Sequence, residues 1–360
     1  MEAADRGVRI PLELFRQIGY YFLPPKTFQE THDSPDYLAL HSSQWKSWRQ
    51  GIAALRNLGS TSWTLRIELA PLLKKTDRFI FLTSREAFES TLDALSKNAL
   101  LRHRVRHIFC DAGVTPRLSF FHLLSLSHRA TTLSILHRRW NKIVLGPREQ
   151  QTVPPLVCEE TTGALIVAGW PVRAVHSRLR VLAIGFEDNH FDFMRLDISL
   201  GLMRSLYLFP DLYKVAIDSV EWHRLFPVFG EMRNAPQVRE LRLKYEMQYL
   251  QETRPNFGNV HQVPLRALLG PAGHDLPVMF ERDRESQVLR RFPGVKILSL
   301  NLAKLPSDLI QPDNTPKGIE ALSNSLEVLI LESRWRPSPT TLAKTPKLES
   351  FIFRNPDVSG

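Results

Sequence analysis

The segment "FIFLTSREAFESTLDALSKNALLRHRVRHIFC", residues 79–110, contains the alternation that decides the fold. Two short apolar runs, one beginning at Phe79 and the other ending at Cys110, enclose a stretch with helical periodicity. Thr83 and Glu86 have the spacing of a helix capping box. Apolar residues then recur at spacings of 4, 3 and 4, at Phe88, Leu92, Leu95 and Ala99. The segment therefore predicts a strand, a helix and a second strand, with the strands parallel and the crossover right-handed.

The strands of this unit follow a spacing of apolar residues that recurs along the chain: apolar, two residues, apolar, one residue, apolar. After Thr76-Phe79-Phe81, it occurs at Val105-Ile108-Cys110, Leu179-Leu182-Ile184, Leu212-Val215-Ile217, Val238-Leu241-Leu243, Val295-Leu298-Leu300, Leu326-Leu329-Leu331 and Leu348-Phe351-Phe353. Neighbouring copies are 22 to 33 residues apart, except across 105–179 and 238–295, where one or two more would fit. Stacked strands with these residues inward predict an α/β solenoid with a parallel strand face. An ordinary α/β domain with buried apolar strands is the alternative.

Residues 1–75 carry a purely helical pattern instead. The stretch "RIPLELFRQIGYYFL", residues 9–23, puts Pro11 at a first helical position, with Leu14 and Ile18 on one face of the helix. Beyond an irregular stretch at 24–43, a second helix is predicted by a stripe of Trp45, Trp48, Ile52 and Leu55, and a third apolar segment ends near residue 75. Three short helices enclose a thin core, so we expect them to dock on a partner or on the rest of the chain.

Short motifs in these helices resemble an F-box. "IPLELFRQI" follows the family's Leu-Pro-x-Glu-Leu-x-x-x-Ile opening, and "LRNLGSTSW" and "APLL" are similar to its later parts. Ile10 replaces the usual leucine, Gly59 stands where serine is common, and the motifs are more widely spaced than usual. In the family this unit binds a Skp-type adaptor, which links it to a cullin. The resemblance implies adaptor contacts at Pro11, Leu12, Leu14, Ile18, Leu55, Leu58, Pro71 and Leu72. The alternative is a helical cap on a repeat domain.

The repeats that follow resemble leucine-rich repeats, in the irregular form common in fungal F-box proteins. The asparagine or cysteine that usually follows the strand is absent from all seven later copies, so the repeats would be degenerate. The resemblance implies a repeat domain over residues 76–360 and an F-box-like domain over 1–75. Within the repeat domain, the proline- and glycine-containing segment 246–291 predicts an irregular insertion.

The charge of the chain favours acidic partners. Its 360 residues carry a formal net charge of +10, and the stretch 101–148 holds nine Lys or Arg with Asp111 as its only acid. Arg138 and Arg139 beside Trp140 could bind a phosphate, an acidic degron or RNA. The alternative for this stretch is a solvated convex face of repeat helices.

No motif in the sequence indicates an enzyme. Phosphate-binding loops, metal-ligand spacings and nucleophile motifs are absent, and Cys110 and Cys158 are too far apart for a recognisable metal site. We therefore expect no catalytic residue, no metal and no cofactor. We also expect no signal peptide, no membrane partner and a cytoplasmic or nuclear location.

The strand residues between the inward positions predict where a target would bind. These outward positions are Val181, Ala183, Lys214, Ala216, Glu240, Arg242, Ile297, Ser299, Val328, Ile330, Ser350 and Ile352. An exposed strand face is usually polar, as at Lys214 and Glu240, but Ile297, Val328 and Ile330 are apolar. Either the insertion covers these three residues or they form the target-binding surface, together with Arg138 and Arg139.

Together these features predict a non-enzymatic substrate-recognition subunit of an SCF-type cullin–RING ubiquitin ligase. Its N-terminal helices would bind a Skp-type adaptor and its repeats an unknown target protein. A protein-interaction scaffold without adaptor binding and a basic nucleic-acid-binding protein are the alternatives.

Overall fold

A computed structural model describes residues 11–23, 42–112, 117–137, 157–159, 164–167, 170–171, 178–186, 202–203, 206–220, 233–245, 289–301, 317–333, 342–343 and 345–355. The fold is mixed helix and strand, built on a nine-stranded parallel sheet. In spatial order its strands are β1 (Phe79–Leu82), β2 (His107–Asp111), β3 (Thr132–His137), β7 (Val181–Phe186), β8 (Lys214–Val220), β9 (Glu240–Tyr245), β10 (Ile297–Asn301), β11 (Val328–Glu332) and β12 (Ser350–Arg354). Spatial order follows chain order, because each strand pairs with the next strand of the sheet along the chain.

The described part of the chain contains six α-helices, all of which precede β3 in sequence. They are α1 (Leu12–Tyr21), α2 (Ser42–Thr61), α3 (Trp63–Thr76), α4 (Arg85–Lys97), α5 (Ala99–Arg104) and α6 (Arg117–Leu126). Between later strands, the described residues also include the 3₁₀ helices Leu206–Leu208 and Lys317–Leu322. A separate antiparallel sheet contains β4 (Val157–Glu159), β5 (Ala164–Val167) and β6 (Trp170–Pro171).

The strand–helix–strand unit at residues 79–110 is confirmed, with two corrections. The cap of α4 is Ser84 rather than Thr83, because the Ser84 hydroxyl accepts the N–H of Ala87 at 3.1 Å. Ala99 belongs to a separate short helix, since the side chain of Asn98 caps a new start by accepting the N–H of Leu101 at 3.0 Å. The crossover from β1 to β2 is therefore two helices, not one.

One face of the sheet packs on the inner core, where the predicted inward residues of β2 and of β7 to β11 lie buried; those of β12 are half-buried.

The prediction for β1 was wrong by one residue. Ile80 and Leu82 pair with Ile108 and Cys110 and enter the inner core, whereas Phe79 and Phe81 face the other side. A shift of one residue exchanges the faces of a strand, and β1 is apolar on both faces, so its pattern did not fix the register.

The two long gaps between repeats have different explanations. The first gap contains β3. Leu133 and Ile135 of this strand lie in the inner core, as does Ala130 just before it. Across the second gap, Glu240 of β9 pairs directly with Ile297 of β10, so no strand of the sheet lies between them. Most of the predicted insertion, residues 246–288, lies outside the described residues.

The opposite face of the sheet forms an outer core with the N-terminal helices. Trp45, Ile52, Leu55, Leu69 and Leu72 from α2 and α3 pack with buried residues of five strands, Phe79, Phe109, Leu136, Val181, Ala183 and Ala216. The prediction that Val181, Ala183, Lys214 and Ala216 face solvent was therefore wrong. They follow the outward alternation, but Val181, Ala183 and Ala216 pack in the outer core with the helices and Lys214 is also buried.

Close helix contacts make this outer core compact. A Cβ at Gly51 of α2 would lie 2.5 Å from the carbonyl oxygen of Phe22, just after α1. A Cβ at Gly19 of α1 would lie 2.6 Å from Leu72 Cδ1 of α3. At Gly51 the contact is with backbone, and only glycine allows the two backbones to approach this closely. The helices thus dock on the rest of the chain, which was one of the two expected modes.

Candidate interaction surfaces

Helix α1 presents an apolar stripe on the side away from the outer core. Leu14 and Ile18 are each 43% exposed, and Tyr21, one turn further, is 89% exposed. Gly19 and Leu23 lie buried on the side that packs inward. An amphipathic helix normally exposes polar residues opposite its buried side, so this stripe is unusual for a surface helix.

Helix α3 carries a second apolar stripe. Trp63 is 73% exposed, and Ile67 and Pro71 follow at intervals of four residues, both exposed. Leu69 and Leu72, on another side of the same helix, are fully buried. Helix α3 therefore has two apolar sides, and the side that carries Leu69 and Leu72 packs in the outer core.

Polar contacts fix α1 against α3. Arg16 of α1 forms an ion pair with Glu68 of α3 at 2.8 Å, and the ammonium of Lys75 lies 5.2 Å from the ring centre of Tyr20. The Ser62 hydroxyl caps α3 by accepting the N–H of Leu65. The two stripes therefore sit on helices whose relative position is set by several contacts.

The predicted adaptor contacts fall into two groups in the structure. Pro11, Leu14, Ile18 and Pro71 are exposed and Leu58 is half-buried, whereas the side chain of Leu12 lies outside the described residues. Leu55 and Leu72 are fully buried in the outer core. They pack the helices together and are not exposed to a partner. Sequence reasoning missed Trp63 and Ile67, because the many apolar residues of α3 gave no sign of which would be exposed.

The predicted target residues lie beyond the area covered by the helices. Ile297, Val328 and Ile330 are half-buried on the outer face of β10 and β11, and Ile352 of β12 is exposed. The register puts Ile297 beside Val328, and Ile330 beside Ile352. These four residues form what we call the C-terminal patch. Arg138 and Arg139 lie outside the described residues.

The basic stretch is divided among several elements. Its described part contains the helices α5 and α6 and the strands β2 and β3. The carboxylate of Asp77, just after α3, forms ion pairs with Arg104 at 2.8 Å and with Arg56 at 3.7 Å. Among the described arginines of this stretch, Arg106 and Arg129 lie just before strands, whereas Arg102 and Arg104 lie on α5.

Two histidines near these arginines are shifted toward the neutral form. Burial lowers the pKa of His107 to about 3, and the positive charges of Arg78 and Arg106 act in the same direction. The His107 ring stacks on Phe79 with centroids 4.9 Å apart. Burial and the neighbouring His103 lower the pKa of His128, and the rings of His103 and His128 meet edge-on at 5.1 Å. The largest cause of both pKa shifts is burial.

The described residues contain neither a cluster of metal ligands nor a membrane-spanning helix. No group of three histidine, cysteine or acidic side chains among them is arranged to hold a metal ion, and Cys110 is buried in the inner core. No helix in the described part of the chain combines the length and apolarity needed to cross a bilayer.

No protein-family model matches this chain, and a comparison with curated proteins gives no match either. The resemblances to an F-box and to leucine-rich repeats therefore depend on the residues named above. The surfaces that remain for a functional argument are the stripes on α1 and α3, the C-terminal patch and the arginines near the strand ends.

Proposed function

We propose that this chain is the non-enzymatic substrate-recognition subunit of an SCF-type ubiquitin ligase, an F-box-like protein with degenerate leucine-rich repeats in a solenoid. Its N-terminal helices bind a Skp-type adaptor, which connects it to a cullin. Its repeat sheet binds a target protein. Such a subunit positions a substrate while other subunits transfer ubiquitin, and it would act in the cytoplasm, the nucleus or both.

The observation that carries the proposal is the exposed stripe of Leu14, Ile18 and Tyr21 on α1. Leu14 and Ile18 are motif positions of the F-box resemblance, and they are exposed although the same helix buries its other side. Fully burying a leucine or isoleucine stabilises a complex by roughly 1.5–3 kcal/mol, so covering this stripe would favour association. The exposed Trp63 and Ile67 extend the surface available to an adaptor.

A second candidate is a protein-interaction scaffold whose N-terminal helices only cover the sheet. The complete burial of Leu55 and Leu72 favours it, because these two F-box-like positions stabilise the outer core. The two candidates differ in whether the exposed side of α1 binds an adaptor, and an experiment can measure this binding.

Co-purification with a recombinant Skp-type adaptor tests the proposal. The full chain should retain the adaptor, and the double variant Leu14→Asp, Ile18→Asp should lose it, because an unpaired carboxylate buried at the contact costs several kcal/mol. Leu100→Asp is the matched control, since Leu100 is an exposed leucine in α5. It should leave adaptor binding unchanged.

The result separates the two candidates. No adaptor binding by the unsubstituted chain would leave the scaffold as the better explanation. Adaptor binding that survives the double substitution would instead contradict the placement of the contact at Leu14 and Ile18. Because both substituted side chains are exposed, the double variant should keep the thermal unfolding midpoint of the original protein. Unfolding of the variant would show that the outer side of α1 stabilises the protein itself.

The C-terminal patch is the proposed target surface. Val328 lies at its centre, between Ile297 and Ser350 in the register. Val328→Glu should reduce target capture and leave adaptor binding unchanged, because the new carboxylate would face the target.

A further inference from the structure

The residue before each strand belongs to a continuous row along one edge of the sheet. The N–H of Arg106 donates to the carbonyl oxygen of Arg78 at 2.9 Å. The N–H of Thr131 donates to Arg106 at 2.8 Å, and the N–H of Arg180 donates to Thr131 at 2.8 Å. These residues are therefore neighbours on adjacent strands, which lie about 4.8 Å apart.

Further arginines precede two of these strands. Arg129 and Arg178 lie two residues before Thr131 and Arg180, so they occupy equivalent positions ahead of β3 and β7. We call the set the arginine row: Arg78, Arg106, Arg129, Arg178 and Arg180. Arg106 and Arg129 are half-buried and the other three are exposed. The members come from distant parts of the sequence, and the sheet brings them to one edge.

The charges of the arginine row are not compensated by acids in the described part of the chain. None of its five side chains forms an ion pair with an acidic residue there. Asp77, adjacent to Arg78 in sequence, is engaged by Arg104 at 2.8 Å. Arg106 is held instead by neutral groups, since its Nη1 donates to the carbonyl oxygens of His103 at 2.8 Å and Val105 at 2.9 Å.

Four of the five members of the row interact electrostatically. The pKa of Arg106 is lowered first by burial and then by the positive charges of Arg129, Arg78 and Arg178. Charges that lower a neighbouring pKa lie close to it. Several cations thus share a small region and repel one another, and an anion placed among them would relieve that repulsion.

We propose that the arginine row is a binding site for an extended acidic peptide segment of another protein, with glutamate, aspartate or phosphoserine side chains meeting the guanidinium groups. Guanidinium groups form charge-assisted and often bidentate hydrogen bonds with carboxylates and phosphates. The proposal stands whether or not the N-terminal helices bind an adaptor.

The dimensions and composition of the row favour a peptide over a nucleic acid. Four adjacent strands span about 15 Å, which is the length of four or five extended peptide residues. Sites for single-stranded nucleic acid usually combine basic residues with exposed aromatic rings on which bases stack. Within the described residues, none of the five members and none of the residues next to them in sequence is an exposed aromatic residue.

Fluorescence anisotropy with the full chain tests the site. The probes are a labelled Glu/Ser peptide, the same peptide with phosphoserine, and a labelled single-stranded RNA, at about 0.1 M salt, where exposed charges still interact over roughly 10 Å. Arg129→Gln with Arg178→Gln should weaken binding of at least one peptide by about ten-fold or more. Arg290→Gln with Arg354→Gln removes the same net charge at exposed arginines outside the row. This control should change the affinity by less than about two-fold.

Each outcome bears on the proposal. Loss of affinity in the row variant alone supports it, and the two peptides distinguish a carboxylate ligand from a phosphorylated one. Equal losses in both double variants would show a non-specific effect of net charge and overturn it. Binding of RNA without binding of either peptide would overturn the peptide assignment. If the row variant unfolds, the single variant Arg178→Gln replaces it, because Arg178 is exposed. An unchanged peptide affinity in that single variant would contradict the proposed site.

Discussion

The indole ring of Trp45 in α2 lies edge-on to the ring of Phe109 in β2, with centroids 5.3 Å apart. Phe109 in turn stacks on Phe81 of β1 at 4.8 Å, and Trp48 of α2 meets it at 5.7 Å. Edge-to-face and offset aromatic pairs add about 0.5–1.5 kcal/mol each beyond the area they bury. This aromatic cluster joins the N-terminal helices to the sheet, so the helices are part of the folded body.

Replacing Trp45 with alanine should destabilise the whole protein. Trp45 is buried in the outer core, and Trp→Ala substitutions in cores cost about 3–5 kcal/mol. Urea unfolding would measure the loss. Trp63→Ala is the matched control because Trp63 is largely exposed, and we expect it to change the free energy of unfolding by less than about 0.5 kcal/mol. Similar losses in both variants would contradict the packing described for α2.

Gly51→Ala should destabilise the protein although alanine is the better helix former. Alanine gains about 1 kcal/mol of helix propensity, but its Cβ would meet the backbone of Phe22. The end of α1 would have to move, at a net cost of about 1–3 kcal/mol in the free energy of unfolding. The same change at Gly59 would meet only a tip of Leu73, at 2.9 Å, which another rotamer can relieve. Thermal unfolding should show Gly59→Ala to be near neutral, and a larger loss there than at Gly51 would refute the argument.

Much of the fold could be predicted because the repeated spacing reports buried strand residues directly. Leu182 with Ile184 and Leu329 with Leu331, for example, lie in the inner core as the spacing requires. The register of β1 could not be read, since Phe79, Ile80, Phe81 and Leu82 are all apolar. Strand β3 was missed because alanine at residue 130 gives a weak signal in the apolar pattern.

The surfaces were less predictable, because exposure depends on which element covers which. Val181 and Val328 follow the same alternation, yet the helices bury Val181 and leave Val328 half-buried. Nothing in a strand sequence states that a helix from the N-terminus will lie over it. The arginine row has the same origin, since Arg78 and Arg178 are a hundred residues apart in sequence and reach the same edge of the sheet only through its register.

Glu240→Gln should destabilise the protein more than Lys214→Met does. Lys214 is buried on the outer face of β8 and forms an ion pair with Glu240 of β9. Removing the acid leaves a buried ammonium without this partner, which typically costs about 3–5 kcal/mol. Methionine instead replaces the buried charge with an apolar chain of similar length, a change that is often close to neutral. Urea unfolding of both variants measures the difference, and equal losses would show that Glu240 contributes little to the stability of charged Lys214.

The last prediction concerns acid stability and His107. Its folded pKa of about 3 lies below the usual value of 6.5, so the buried ring stays neutral while the unfolded chain takes up a proton as pH falls. The stabilisation associated with the neutral ring is therefore present above pH 6.5 and is progressively lost as pH falls toward 3. One pKa unit corresponds to about 1.4 kcal/mol, so lowering the pH from 7 to 5 should cost about 2 kcal/mol through this residue.

The variant His107→Phe keeps an aromatic ring beside Phe79 and removes the titrating group. Urea unfolding at pH 7 and pH 5 should show the original protein losing about 2 kcal/mol more than the variant over this interval. Equal losses in the two proteins would mean that His107 is protonated in the fold.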